Sequence, residues 1–155
     1  MPAKMLCFIF VSILLSALAY AASKIEVKDA WVGEVPPVSK VAAAYFELEN
    51  KGNEDDMLVG AASDMSEFIE IHETVVDKQG VAQMKKIDSI KIPARQEVEF
   101  KPGGYHLMLI NLKNPIKKGD TVSLELHFEK AGVVRVNATV RGGGGSHEGH
   151  EQGSH

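Results

Sequence analysis

Short segments of alternating apolar and polar residues recur along most of the chain, and turn residues separate them. The segments are residues 42–48, 67–75, 81–87, 97–100, 105–110, 121–128 and 133–140. Side chains of a β-strand point alternately to opposite faces, so a period of two is typical of strands that bury one face. No stretch of the sequence keeps the apolar period of a helix. The pattern therefore predicts an all-β fold, an antiparallel sandwich or a small barrel.

The N-terminal segment, residues 1–21, is predicted to be a signal peptide and to lie outside the fold. Lys4 supplies a positive start, residues 5–17 form an apolar run, and a small-residue stretch of the A-x-A type follows. This order is that of a secretory signal, with cleavage after Ala21 or, as a second choice, after Ala19. The run is short for a membrane span, and an uncleaved anchor is the alternative.

The only cysteine, Cys7, lies too early in this apolar run to be a lipoprotein acceptor, and it leaves with the signal. The mature chain then has no thiolate for nucleophilic, redox or blue-copper chemistry. We expect one periplasmic domain, residues 22–141, which is large enough to bury a core without disulfides. The formal charge of -4, without a basic stripe, argues against nucleic acid as a partner. We also expect a monomer, with no stable membrane insertion after cleavage.

A histidine and a methionine share one face of a predicted strand. His106 and Met108 are two residues apart, so their side chains leave the same face, about 6.6 Å apart along the strand. Tyr105, Leu107 and Leu109 take the other face, toward the core.

His72 and Met84 are predicted to share a face across a hairpin that turns at residues 77–80. If the turn centres on Lys78, His72 lies directly opposite Met84, with Cβ atoms about 5 Å apart. If a three-residue turn ends in a left-handed Gly80, the pairing shifts by two and the residues become diagonal neighbours. Either register leaves both residues on one face, whereas a two- or four-residue loop would place them on opposite faces, so the prediction depends on the turn.

Two imidazoles and two thioethers make a donor set for a soft metal ion. Thioethers select copper(I), whereas zinc prefers thiolate, imidazole and carboxylate ligands. Each residue taken singly is also typical of a core filler or a surface position, and only the two face-sharing pairs indicate a site. The spacing alone therefore indicates a protein that binds a soft metal ion, with copper(I) the ion that the donors favour. The alternatives are a small copper-dependent redox enzyme and a metal-free β-sandwich interaction module. His127 is predicted to be an ordinary surface residue on the solvent face of its strand.

The spacing His72-x11-Met84-x21-His106-x-Met108 resembles the ligand motif of the periplasmic PCu(A)C-type copper chaperones. Further blocks resemble that family in the same order: residues 29–31, 36–37, 42–46, 50, 71–74 and 103–109. The resemblance implies a cupredoxin-like antiparallel β-sandwich of Greek-key topology, no enzymatic activity, and one copper(I) bound by those four residues. It also implies a copper-receiving partner, either the dinuclear copper subunit of cytochrome c oxidase or a Sco-type thiol protein. The chain departs from one common form of the motif, because Glu73 stands where a methionine follows the first histidine.

The C-terminal residues 142–155 differ abruptly in composition from the preceding chain. A glycine run is followed by His147, His150 and His155, interspersed with Glu and Gly. The run is typical of a flexible linker, and imidazoles with carboxylates suit copper(II) better than copper(I). We predict an auxiliary copper(II)-collecting tail; the alternative is a cloning scar, since the run resembles a designed linker.

Overall fold

The computed structural model describes residues 24–142, and its regular elements are strands. The ten strands are β1 (Ile25–Gly33), β2 (Val41–Asn50), β3 (Asp56–Ala62), β4 (Ser66–Val76), β5 (Ala82–Ile87), β6 (Ile90–Ile92), β7 (Glu97–Phe100), β8 (Tyr105–Leu112), β9 (Thr121–Phe128) and β10 (Gly132–Arg141). All seven predicted segments are strands, and β1, β3 and β6 are additional. The predicted signal peptide and the three tail histidines lie outside the described residues.

The strands form one hydrogen-bonded sheet that curves around a single core. Their order is β5-β4-β8-β7-β2-β1-β10-β9-β3-β6, and β8 also pairs with β2. Most ladders are antiparallel as predicted, but β1 with β10 and β7 with β8 are parallel. β3 also packs near β4, although no ladder joins them, so the two ends of the sheet approach each other. The described part of the chain holds no helix long and apolar enough to cross a membrane.

The core is filled by the inward-facing residues that the alternation predicts. Leu107 and Leu109 of β8 are completely buried. The rings of Phe46 and Phe100 stack beside them in the core cluster, with centroids 4.4 Å apart. On β9 the even-numbered apolar residues are buried, whereas the side chain of His127 is 41% exposed. The prediction that His127 is a surface residue is confirmed.

An irregularity in β1 places two aromatic rings beside β8. The pairing of β1 with β2 shifts register between Lys28 and Trp31, and Asp29 within this bulge has a positive φ of 49°. The Asp29 carboxylate accepts a hydrogen bond from Arg141 at 2.6 Å. The Arg141 guanidinium in turn lies 5.7 Å from the centroid of the Trp31 ring. Trp31 packs on Tyr45, with ring centroids 4.5 Å apart, and these two aromatic rings extend from β1 toward β8.

Candidate metal centre

The sheet register brings the four predicted ligands onto one face. His72 of β4 lies directly opposite His106 of β8. Met108 follows His106 by two residues, so it leaves the same face of β8. Met84 of β5 lies opposite Thr74, which is two residues from His72 and shares its face. Three adjacent strands therefore present both histidines and both methionines to the same side.

The turn between β4 and β5 decides how close Met84 comes to His72. Gly80 has a φ of 82°, in the left-handed region that favours glycine. Thr74, not His72, is the direct partner of Met84. The register with a turn centred on Lys78 is therefore wrong, and the diagonal arrangement is the one present. Diagonal neighbours across a ladder lie about 7–8 Å apart, within reach of a long thioether side chain.

Each of the two histidine rings has one nitrogen in contact with a neighbouring oxygen and one nitrogen that finds no partner in the described part of the chain. The ring centroids of His72 and His106 are 5.6 Å apart. His106 is only 2% exposed, and its Nδ1 lies 3.3 Å from the carbonyl oxygen of Gly104. Within residues 24–142, the buried Nε2 of His106 and Nδ1 of His72 have no hydrogen-bond partner. Buried polar atoms are normally satisfied, so two such nitrogens on facing rings indicate an unfilled ligand requirement.

Burial keeps the His106 ring neutral. The cost of placing charge in this buried position lowers the pKa of His106 below its ordinary value, and the nearby His72 ring acts in the same direction. The contact with the Gly104 carbonyl opposes the shift only in part. Tyr45 covers the opposite side, with its ring centroid 6.4 Å from that of His106. A neutral imidazole keeps a nitrogen lone pair, which is the form that binds a metal ion.

The candidate ligands differ sharply in exposure. Met84 is 64% exposed on β5, the strand at one end of the sheet, whereas His106 is 2% exposed on β8. His72 and Met108 are partly buried between these extremes. The face is therefore closed on its β8 side and open to solvent at the β5 edge.

Glu70 is a polar neighbour of the centre that the sequence analysis missed. One carboxylate oxygen lies 2.8 Å from His72 Nε2, and the other accepts a hydrogen bond from Lys86 Nζ at 3.0 Å. Glu70 precedes His72 by two residues in the same strand, so the period of two already places both on one face. These contacts hold the pKa of Glu70 below its ordinary value, the His72 contact being the larger cause.

Carboxylates do not complete a metal site here. In the described range, no three His, Cys, Asp or Glu side chains are grouped so that they hold a metal ion. Among the described residues, Met84 and Met108 are the soft donors on the same face as the two imidazoles. Met65 packs against the hydrophobic core, and Met57 lies on β3, so neither adds to the set.

Comparisons with known proteins give a family and a fold. A family model described as "Putative lipoprotein LpqE-like" matches residues 25–140. A protein of Leifsonia xyli subsp. xyli (strain CTCB07), named "Putative lipoprotein Lxx21020", is 33% identical over 128 residues, which cover 82% of this chain and 75% of that protein.

Solved structures resemble the chain over most of its length. The copper-bound PCuAC domain of PmoF2 superimposes with a TM-score of 0.67 at 26% identity, covering 80% of this chain and 97% of that domain. The solution structure of the copper(I) form of DR1885 from Deinococcus radiodurans gives a TM-score of 0.59 at 33% identity, covering 82% and 83%. The predicted all-β, cupredoxin-like fold is confirmed by this likeness.

Proposed function

Because the chain belongs to the LpqE-like family and has the fold of PCuAC domains, we propose that it is a copper chaperone that carries one copper(I) as cargo. The observation that carries the proposal concerns His72 and His106, which lie opposite each other on β4 and β8: each has a buried imidazole nitrogen that finds no hydrogen-bond partner among residues 24–142. The similar domain of PmoF2 is a copper-bound structure, and that of DR1885 is a copper(I) form, which supports the choice of metal.

The oxidation state follows from the donors. Met84 and Met108 offer neutral thioether sulfur, which is soft and needs no deprotonation. His72 and His106 add two neutral nitrogens, so the site supplies no negative charge to a harder, doubly charged ion. A thioether also forms no disulfide, which suits a copper(I) carrier in an oxidising compartment. Two imidazoles and two thioethers without thiolate are a poor electron-transfer centre of the blue-copper type, and the proposed role is therefore binding without catalysis.

Release of the cargo begins at the exposed side of the site. Met84 is the most exposed of the four proposed ligands, and it lies on an end strand whose residues are nearly all exposed. An incoming donor from a recipient protein reaches this side without disturbing the buried His106. We propose that the recipient displaces Met84 first and His106 last. The recipient is a copper-receiving protein, either the dinuclear copper subunit of cytochrome c oxidase or a Sco-type protein.

The proposed place of action is the periplasm. The relative from Leifsonia xyli is named a lipoprotein, which supports a location in the cell envelope. The N-terminal order of positive, apolar and small residues supports export with cleavage after Ala21.

The proposal is tested by anaerobic titration of the purified protein with copper(I) against a competing chelator, followed by X-ray absorption spectroscopy. We expect one tightly bound copper(I) per chain, with both nitrogen and sulfur in its first shell. His127→Gln is the matched control, because it removes an outward-facing histidine that is 41% exposed, and it should bind as the wild type does. Absence of tight binding, or a shell of nitrogen and oxygen only, would contradict the proposal.

A further inference from the structure

Glu70 bridges two strands at the rim of the candidate site. Its carboxylate reaches His72 Nε2 with one oxygen, at 2.8 Å, and Lys86 Nζ with the other, at 3.0 Å. Lys86 lies directly opposite His72 in the β4–β5 ladder, so the sheet register itself brings the three side chains together. The side chains of Glu70 and His72 are only 23% and 16% exposed, and their contact is therefore largely shielded from water.

The contact with Glu70 determines which nitrogen of His72 carries the proton. One oxygen of the Glu70 carboxylate is held by the Lys86 ammonium group at 3.0 Å, and a carboxylate paired in this way only accepts hydrogen bonds. In the neutral ring Nε2 is therefore the donor, and Nδ1 keeps the lone pair. That Nδ1 is the buried atom of His72 for which residues 24–142 provide no partner.

His106 has the opposite arrangement. The Gly104 carbonyl oxygen, 3.3 Å from Nδ1, can only accept, so Nδ1 carries the proton and Nε2 keeps the lone pair. Nε2 is again the atom that lacks a partner among the described residues. The two neighbouring rings, whose centroids are 5.6 Å apart, thus leave different nitrogens without a partner among the described residues.

We infer that Glu70, braced by Lys86, is a positioning residue that fixes the tautomer and orientation of His72, so that copper(I) is taken by Nδ1 of His72 and Nε2 of His106. The inference rests on the proposed function. Histidine ligands commonly donate their second nitrogen to a carboxylate or carbonyl, and loss of such a partner typically lowers metal affinity about 10–100-fold.

Glu70 acts through His72 and is not itself a ligand. Both of its oxygens are already engaged, one by Lys86 and one by His72. A carboxylate is a hard donor that suits copper(I) poorly. Within the described residues, Glu70 and the two histidines also do not form a three-residue group that could hold a metal ion.

The first test uses the metal-free protein and needs no copper. Long-range proton–nitrogen NMR correlations of the imidazole rings at neutral pH report which nitrogen carries hydrogen. We expect His72 protonated at Nε2 and His106 protonated at Nδ1. In Glu70→Ala, His72 should populate both tautomers while His106 is unchanged. Protonation of His72 at Nδ1 in the wild type would overturn the inference, and so would an unchanged His72 tautomer in Glu70→Ala.

The second test measures copper(I) affinity of the same variants. Glu70→Ala should lose about 10–100-fold with the stoichiometry kept at one. Glu70→Gln retains a carbonyl acceptor, so it should recover part of the affinity and keep His72 protonated at Nε2; it also replaces the alanine variant if that fails to fold. Glu73→Ala is the control. It removes the carboxylate that follows His72 directly in β4 and that lies on the opposite face of the strand, so this variant should bind copper(I) as the wild type does. Equal losses in Glu70→Ala and Glu73→Ala would overturn the inference. Failure of the wild type to bind copper(I) would instead refute the proposed function, while the tautomer result would stand by itself.

Discussion

Replacement of Met84 by leucine separates a role in metal binding from a role in packing. Met84 is 64% exposed, and leucine has nearly the same volume, so Met84→Leu should change the free energy of unfolding by less than about 0.5 kcal/mol. The same change removes one of the two proposed thioether donors. Loss of a residue that merely supports a ligand lowers affinity about 10–100-fold, so loss of a ligand should lower copper(I) affinity by about 100-fold or more. A 100-fold loss corresponds to about 2.8 kcal/mol.

The assay compares copper(I) and zinc(II) on the same variant. Competition with a chromophoric chelator under reducing conditions gives copper(I) affinity, a parallel titration gives zinc(II) affinity, and urea unfolding gives stability. Zinc gains little from thioether sulfur, so its affinity should fall by less than about tenfold. Met57→Leu, which removes a thioether from β3, is the control and should leave both affinities unchanged. Equal losses for the two metals in Met84→Leu would show that Met84 only packs, and the ligand assignment would be refuted.

Three further predictions concern the packing of the core, the stability of the protein at acid pH and the C-terminal tail. Leu107 is completely buried beneath the site, so Leu107→Ala should lower the free energy of unfolding by about 2–5 kcal/mol in urea denaturation; a loss under about 1 kcal/mol would contradict this packing. Arg141 holds the pKa of Asp29 in the folded protein below its ordinary value of 3.8. The pair therefore stabilises the fold at pH values above 3.8, and this stabilisation is lost as the pH falls through the lowered pKa of the folded state. In Asp29→Asn, the free energy of unfolding should therefore fall less steeply with decreasing pH in the acid range, and it should be lower than that of the wild type by less than about 1 kcal/mol at neutral pH. An unchanged pH dependence in the acid range would contradict this role of the pair. Deletion of residues 142–155 should remove a weaker copper(II) equivalent in calorimetric titration and leave copper(I) affinity and thermal stability almost unchanged, whereas loss of copper(I) binding would place a ligand in the tail.

The strands that sequence reasoning missed lack the features on which it depended. The alternation of β1 is broken by the bulge at Asp29, whose positive φ is not apparent from residue identity alone. β6 has only three residues, Ile90–Ile92, too few for a period to be recognised. β3, Asp56–Ala62, contains a run of adjacent apolar and small residues in place of alternation. The parallel pairing of β1 with β10 joins opposite ends of the fold and has no local sequence signal.

The sequence by itself determined the faces of the strands and predicted a set of metal donors. It contains two histidines and two methionines at positions where a period of two keeps each pair together, and their spacing resembles one family's ligand motif. Glu70 was within reach of the same argument, since it lies two residues before His72. These inferences are local, because successive side chains of a strand alternate between its two faces, so residues two apart always share a face.

The tertiary structure decided which residues meet across strands. The left-handed Gly80 selects the diagonal register of Met84, where the sequence had left the length of the turn, and therefore the register, open. The direct opposition of His72 and His106 depends on pairing β4 with β8, two strands that are distant in the chain. Long-range pairing is set by how the whole sheet buries its apolar face, and no local pattern encodes it. For the same reason, only the folded sheet shows which imidazole nitrogens are held by Glu70 and the Gly104 carbonyl, and which are left for a metal ion.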